Sequence, residues 1–240
     1  FLIDRKKWAH EASYGLARNL CLLLSVGYRA LILDDDILCM AVKSPVAGSK
    51  LVFGDSTYRQ AIFYPSIDKM KKMGMDTGFN PLIAHLRVLG SNTKSAIASM
   101  QYRNLEEESL HGSNAAFLSS ITADSPVLIS QCGSWGDPGT HTPHWIMHLD
   151  EGSVAKITET SQGLGEALNS RACWVGHARP CLSKNANISQ LTGLDNSHLL
   201  PPYFPIYRGE DSLFGTMTNC LHPNSIVANL DWAVPHLPIE

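Results

Sequence analysis

Between Tyr14 and Leu33 the apolar positions follow two periods in succession. Leu16, Leu20, Leu23 and Leu24 fall at i, i+4, i+7 and i+8, one face of an α-helix, and Gly27 stands where a left-handed C-terminal cap would end it. Ala30, Leu31, Ile32 and Leu33 then run without a polar interruption, as in a strand buried on both faces. The run stops at Asp34-Asp35-Asp36. Three carboxylates are therefore expected at the carboxyl end of a central strand, the edge where open α/β sheets bind ligands.

The middle of the chain is less periodic. Helical spacing recurs around Pro81 to Val88, Asn104 to Leu110 and Leu164 to Ser170, while Val127-Leu128-Ile129 and Cys173-Trp174-Val175 read as strands. Gly133-Ser134-Trp135-Gly136-Asp137-Pro138-Gly139 is expected to be a turn-rich loop. Leu199 to Tyr207, rich in Pro and aromatic residues, should be extended and ordered. Arg208-Gly209-Glu210-Asp211 then leads into a helix from Ser212, with the acidic pair in its first turn. Near the end, Pro235 and Pro238 flank His236. No internal repeat or linker divides the chain, so one domain is expected across 1–240, with an insertion within about 42–176.

Composition narrows the function classes. At 240 residues, 44% hydrophobic and 17% charged, the chain has material for a substantial core, which excludes disorder. A net charge of -3 offers no broad footprint for nucleic acid. Cys21, Cys39, Cys132, Cys173, Cys181 and Cys220 show neither a C-x-x-C pair nor regular spacing, so reduced thiols are expected. The Leu20 to Leu33 stretch is interrupted by Ser25, Gly27, Tyr28 and Arg29 and falls short of a transmembrane segment. The Asn187-Ile188-Ser189 sequon carries no weight. A cytoplasmic protein is expected, with association to the cytoplasmic face of a membrane as the alternative.

The acidic groups carry the chemistry. Side chains alternate along extended backbone, so Asp34 and Asp36 would approach one cation while Asp35 points elsewhere. Hard oxygen donors on a turn suit Mg²⁺ or Mn²⁺ together with substrate phosphates. The plain alternative is a helix-capping turn, against which the repulsion of three adjacent carboxylates counts. Glu210-Asp211 would stabilise a helix N-terminus in any case, but beside an aromatic loop it would also place a carboxylate on a shaped wall, as a general base requires.

Taken in order, Gly15-Leu16-Ala17-Arg18-Asn19 through Leu31-Ile32-Leu33-Asp34-Asp35-Asp36, and later Gly209-Glu210-Asp211-Ser212-Leu213-Phe214, resemble the GT-A glycosyltransferases, especially family 2. These motifs cover about a quarter of the chain. The resemblance implies a Rossmann-like α/β fold with a mixed central sheet flanked by helices. It makes Asp34 and Asp36 a D-x-D pair, with Asp36 on the metal and Asp34 towards the ribose or metal. Arg18 and Asp35 join Asp34 on the donor side, and His236 supplies a third metal ligand. Asp211 becomes the base that deprotonates an acceptor hydroxyl, and Glu210 helps to position the acceptor. The implied reaction moves a sugar from a nucleotide-sugar donor to a glycan or other hydroxyl acceptor with Mn²⁺ or Mg²⁺, inverting the anomeric centre. A retaining enzyme of the same fold, a sugar nucleotidyltransferase and a non-catalytic glycan-binding domain are the alternatives.

The family's opening strand-turn-helix unit has no counterpart here, and the chain begins Phe1-Leu2-Ile3. The resemblance therefore implies on the order of two further βα units upstream. Other features point less sharply. His141, His144 and His148 have helix-like spacing, but Pro143 argues against a regular helix and a zinc site. Trp135, Tyr203, Phe204, Tyr207 and Trp232 would serve as sugar-stacking surfaces or as buried anchors.

Overall fold

The computed structural model describes residues 1–11, 13–54, 59–100, 105–111, 113–138, 143–159, 161–186, 190–206 and 209–237. His141, the 187–189 sequon, Tyr207 and Arg208 lie outside the described residues. The strands are β1 (Arg29–Leu33), β2 (Val42–Lys43), β3 (Val52–Phe53), β4 (Gln60–Phe63), β5 (Val127–Gly136), β6 (Cys173–Gly176), β7 (Cys181–Ser183), β8 (Leu191–Asp195) and β9 (Ile226–His236). The helices are α1 (Tyr14–Leu24), α2 (Ile67–Met73), α3 (Pro81–Val88), α4 (Thr93–Ser99), α5 (Ala115–Ser119), α6 (Glu151–Thr158), α7 (Ser161–Asn169) and α8 (Glu210–Leu221). Together they make a mixed α/β fold around one nine-stranded sheet.

Two long strands, β5 and β9, run parallel and form the spine of that sheet. Their amino-terminal halves carry the order β1-β8-β5-β9-β7-β3. Towards their carboxyl ends β5 pairs β6, which pairs β4, while β9 pairs β2. The 42–176 region thus supplies the central strand β5 as well as the peripheral β4 and β6. β1 is antiparallel to β8, and β8 is antiparallel to β5, so β1 points the same way as β5 and β9. Three strand ends therefore emerge on one edge of the sheet.

Alternation across the sheet separates two cores. Val127, Ile226 and Ala228 pack on one side with Val88, Ala96 and Phe117 of α3, α4 and α5. Leu128 and Val227 pack on the other with Leu22 of α1 and Phe214 of α8. At the β4 and β6 extension, Trp174 faces Met70 of α2, while Cys173 and Val175 face Ile157 of α6 and Ala167 of α7.

Several expectations change. β5 does not stop before Gly133 but continues through Trp135 to Gly136, with an irregularity in its pairing to β9 between Gln131 and Gly133. A Cβ at Gly133 would lie 2.6 Å from the Val175 carbonyl oxygen, so glycine here permits close strand approach and does not mark a turn. Gly27 is left-handed (φ 84°) just past α1, as expected, but the helix already ends at Leu24 and buries Gly15, Leu16, Asn19 and Leu22, while Leu20, Leu23 and Leu24 face outwards. β1 is a half-exposed strand whose one ladder partner among the described residues is β8, not a strand buried on both faces. None of the six cysteines is in a disulfide. No helix among the described residues is long and apolar enough to cross a membrane.

Candidate active site

The backbone beyond β1 is laced to the end of β9. Leu38 N–H donates to the Pro235 carbonyl at 3.0 Å, and Leu237 N–H donates to the Asp36 carbonyl at 3.1 Å. This pairing puts the turn that holds Asp34, Asp35 and Asp36 beside His236. Asp36 Oδ1 lies 3.0 Å from His236 Nε2, and one ligand atom each from Asp34, Asp36 and His236 lie within 4.8 Å of one another. Asp35 is exposed and outside the group, as alternation requires.

The orientation of His236 decides what its ring can do. Nδ1 sits 2.7 Å from the Asp137 carbonyl oxygen, which can only accept, so Nδ1 carries a hydrogen. In the neutral ring Nε2 then presents a lone pair to a carboxylate oxygen. Asp36 Oδ1 is buried and has no hydrogen-bond partner among the described residues. Two acceptors at this separation need a positive charge between or beside them, either a ring proton or a bound cation. Oxygen and nitrogen donors suit Mg²⁺ or Mn²⁺.

A second set of charges meets this one through Arg18. Its guanidinium contacts Asp211 Oδ1 directly, lies 3.9 Å from Glu210 Oε1 and reaches Asp34 Oδ1 at 3.5 Å. Glu210 and Asp211 stand in the first turn of α8, which begins after Gly209 in the left-handed region, φ 96°. Arg18 also lies over the ring of Tyr203, 5.5 Å from its centre. Burial raises the Asp34 carboxyl above the ordinary carboxylate range; Arg18 and then His236 oppose this, while Asp36 adds to it. An added cation would favour the ionised form.

α1 is placed for this by the two residues around Arg18 in the motif. Gly15 lets the Phe204 carbonyl rest against the helix, where any Cβ would collide. Asn19, buried, donates to the Tyr203 carbonyl at 2.9 Å and accepts from the Tyr203 N–H at 2.8 Å. Tyr203 in turn stacks on Phe214 of α8, ring centres 4.0 Å apart and planes parallel. The helix bearing Arg18 and the helix bearing Asp211 are thus joined through one loop.

Arg18, Asp34, Asp36, Glu210, Asp211 and His236 therefore converge, and Asp35 does not. Trp135, Tyr203 and Trp232 are buried anchors and offer no face to a sugar; Phe204 is exposed. His148 is exposed, and Asp34, Asp36 and His236 form the one metal-competent trio among the described residues. Sequence reasoning missed Asn19 as a clip, and it missed Asp137 and Arg171. Asn19 could have been found as the polar residue one turn from Gly15 on the same helical face. Compared with known protein families, curated proteins and solved structures, the chain matches none.

Proposed function

We propose that this chain is a divalent-cation-dependent glycosyltransferase of GT-A type, moving a sugar from a nucleotide-sugar donor to a hydroxyl acceptor. The observation that carries the reading is the convergence of Asp34, Asp36 and His236 with the Arg18, Glu210 and Asp211 cluster at the carboxyl ends of parallel strands. Neither set alone would distinguish a transferase from a capped turn and a capped helix. Together they offer a place for a diphosphate and a base beside it.

Asp34, Asp36 and His236 would hold Mn²⁺ or Mg²⁺, which when bound neutralises charge developing on a leaving diphosphate. Arg18 is aimed at the same region and adds a fixed positive charge on the leaving-group side. For transfer, its guanidinium turns from Asp211 towards the diphosphate, freeing the carboxylate. Asp211 accepts the proton of the acceptor hydroxyl as that oxygen attacks the anomeric carbon and the carbon–oxygen bond to the diphosphate breaks. Attack opposite the leaving group inverts the anomeric centre. Glu210, buried beside the base, orients it and the acceptor.

The test pairs two variants under a screen of nucleotide sugars. Asp211→Asn should lower transfer by roughly 10²–10⁴-fold while donor affinity stays within about threefold. Asp36→Ala should abolish Mn²⁺-dependent binding of a nucleoside diphosphate. Full turnover in Asp211→Asn would sink the base assignment. Metal-dependent diphosphate binding without transfer to any acceptor would favour a binding domain.

A further inference from the structure

The two ring nitrogens of His236 are treated differently by the fold, and the device responsible lies outside the motifs. β5 ends at Gly136, whose φ of 127° only glycine adopts without strain. The chain there turns Asp137 against the end of β9. Asp137 N–H donates to the His236 carbonyl at 3.0 Å, and the Asp137 carbonyl accepts from His236 Nδ1 at 2.7 Å and from Ser134 Oγ at 3.3 Å. The residue that grips His236 is itself gripped. Arg171, just before β6, donates from its guanidinium to Asp137 Oδ1 at 2.9 Å. Asp137 is buried, whereas the Arg171 side chain is 44% exposed, so the tether is applied from the surface.

We infer that Arg171 is a positioning residue that, through Asp137, fixes His236 in the Nδ1–H tautomer and so keeps Nε2 available as a cation ligand. Each link is a directed contact. Arg171 holds the carboxylate of Asp137, which sets the peptide plane that follows Asp137. That plane aims a carbonyl at Nδ1, and a carbonyl leaves Nδ1 no choice but to donate. The lone pair of the neutral ring then faces Asp34 and Asp36. Residues that hold the second nitrogen of a metal-binding imidazole commonly change affinity by about 10–100-fold when lost. The inference rests on the proposed cation site for its consequence, but the tautomer itself does not require a cation.

The experiment uses the whole chain with Arg171→Ala and Arg171→Lys. Nitrogen-15 NMR of the histidine ring in the cation-free protein, read at a pH high enough to keep the ring neutral, reports the tautomer directly. The wild type should show the Nδ1–H form, Arg171→Ala a raised share of Nε2–H, and Arg171→Lys a return towards wild type. Calorimetric titration with Mn²⁺ should show a loss of about tenfold in Arg171→Ala, partly recovered by Arg171→Lys. Lys50→Ala, which removes an exposed ion pair with Glu106 and Glu108, is the control and should change neither reading. An unchanged tautomer in Arg171→Ala, or wild-type Mn²⁺ affinity in that variant, overturns the inference while leaving the cation site standing. A wild type that binds no Mn²⁺ overturns the cation reading instead, and the ring spectra still decide the role of Arg171.

Discussion

Among the described residues Arg18 is the one that touches both halves of the site, and its surroundings fix what its loss would do. It meets Asp34, Glu210 and Asp211 with a side chain only 15% exposed, and the Glu210 side chain is 5% exposed. Removing a cation from such a group leaves carboxylates partly buried and facing one another, a change that costs more than an exposed ion pair returns. Arg18→Leu should destabilise the cation-free protein by about 3 kcal/mol, read by urea denaturation. Mn²⁺ should narrow the deficit, because a cation on Asp34 restores part of the missing charge. A deficit of the same size with and without Mn²⁺ would show that Arg18 and the cation site are not coupled.

At the scale of elements, α1 shows what could be read in the chain and what could not. Its existence follows from spacing and Arg18 from its place in the motif, but Leu20, Leu23 and Leu24 point away from the face that is buried. The stripe through Gly15, Leu16, Asn19 and Leu22 wins because Gly15 permits close approach and Asn19 satisfies two backbone groups of the 203–204 loop. Neither residue scores as apolar, so periodicity selected the adjacent stripe. β5 misleads for the related reason that Gly133 and Gly136 serve close packing and a strand end, where composition alone spells a turn. The Asp triplet, the acidic pair and His236 were legible because their chemistry is local. Asp137 and Arg171 were not, because their meaning depends on a pairing of β5 with β9 and β6. Asn19→Ala tests the element-level account. It strands the Tyr203 N–H and carbonyl in a buried setting and should cost about 2–6 kcal/mol, at about 1–3 kcal/mol for each buried group left unpaired. Thermal denaturation reads that loss, and a cost under about 0.5 kcal/mol would mean that the loop is held by other contacts.

Across the whole molecule, the sheet sets both where the site lies and how stability responds to acid. Because β1, β5 and β9 run in one direction, their carboxyl ends deliver Asp34 with Asp36, Asp137 and His236 to a common edge. The interior that holds those strands in register contains a fully buried histidine. His85 of α3 bonds through Nδ1 to Ser130 Oγ of β5 at 2.8 Å and stands edge-on to Trp232 of β9, and its Nε2 has no hydrogen-bond partner among the described residues. Burial pushes its pKa down from 6.5 to about 3. Burial, with Arg59 nearby, pushes His177 down to about 4. The unfolded chain therefore takes up protons below pH 6.5 that the folded chain refuses, so the stability is complete above 6.5 and lost as the pH falls towards 3. The raised carboxyls of Asp34 and Asp231 work in the opposite direction, but only from the ordinary Asp value upwards, and a variant comparison cancels them. Between pH 7 and pH 5, His85 alone should account for about 2 kcal/mol of lost stability. His85→Gln, whatever its stability at pH 7, should lose about that much less than the wild type over the same interval in urea titrations at the two pH values. Equal losses would place a proton on His85 in the folded state and would require a partner for Nε2.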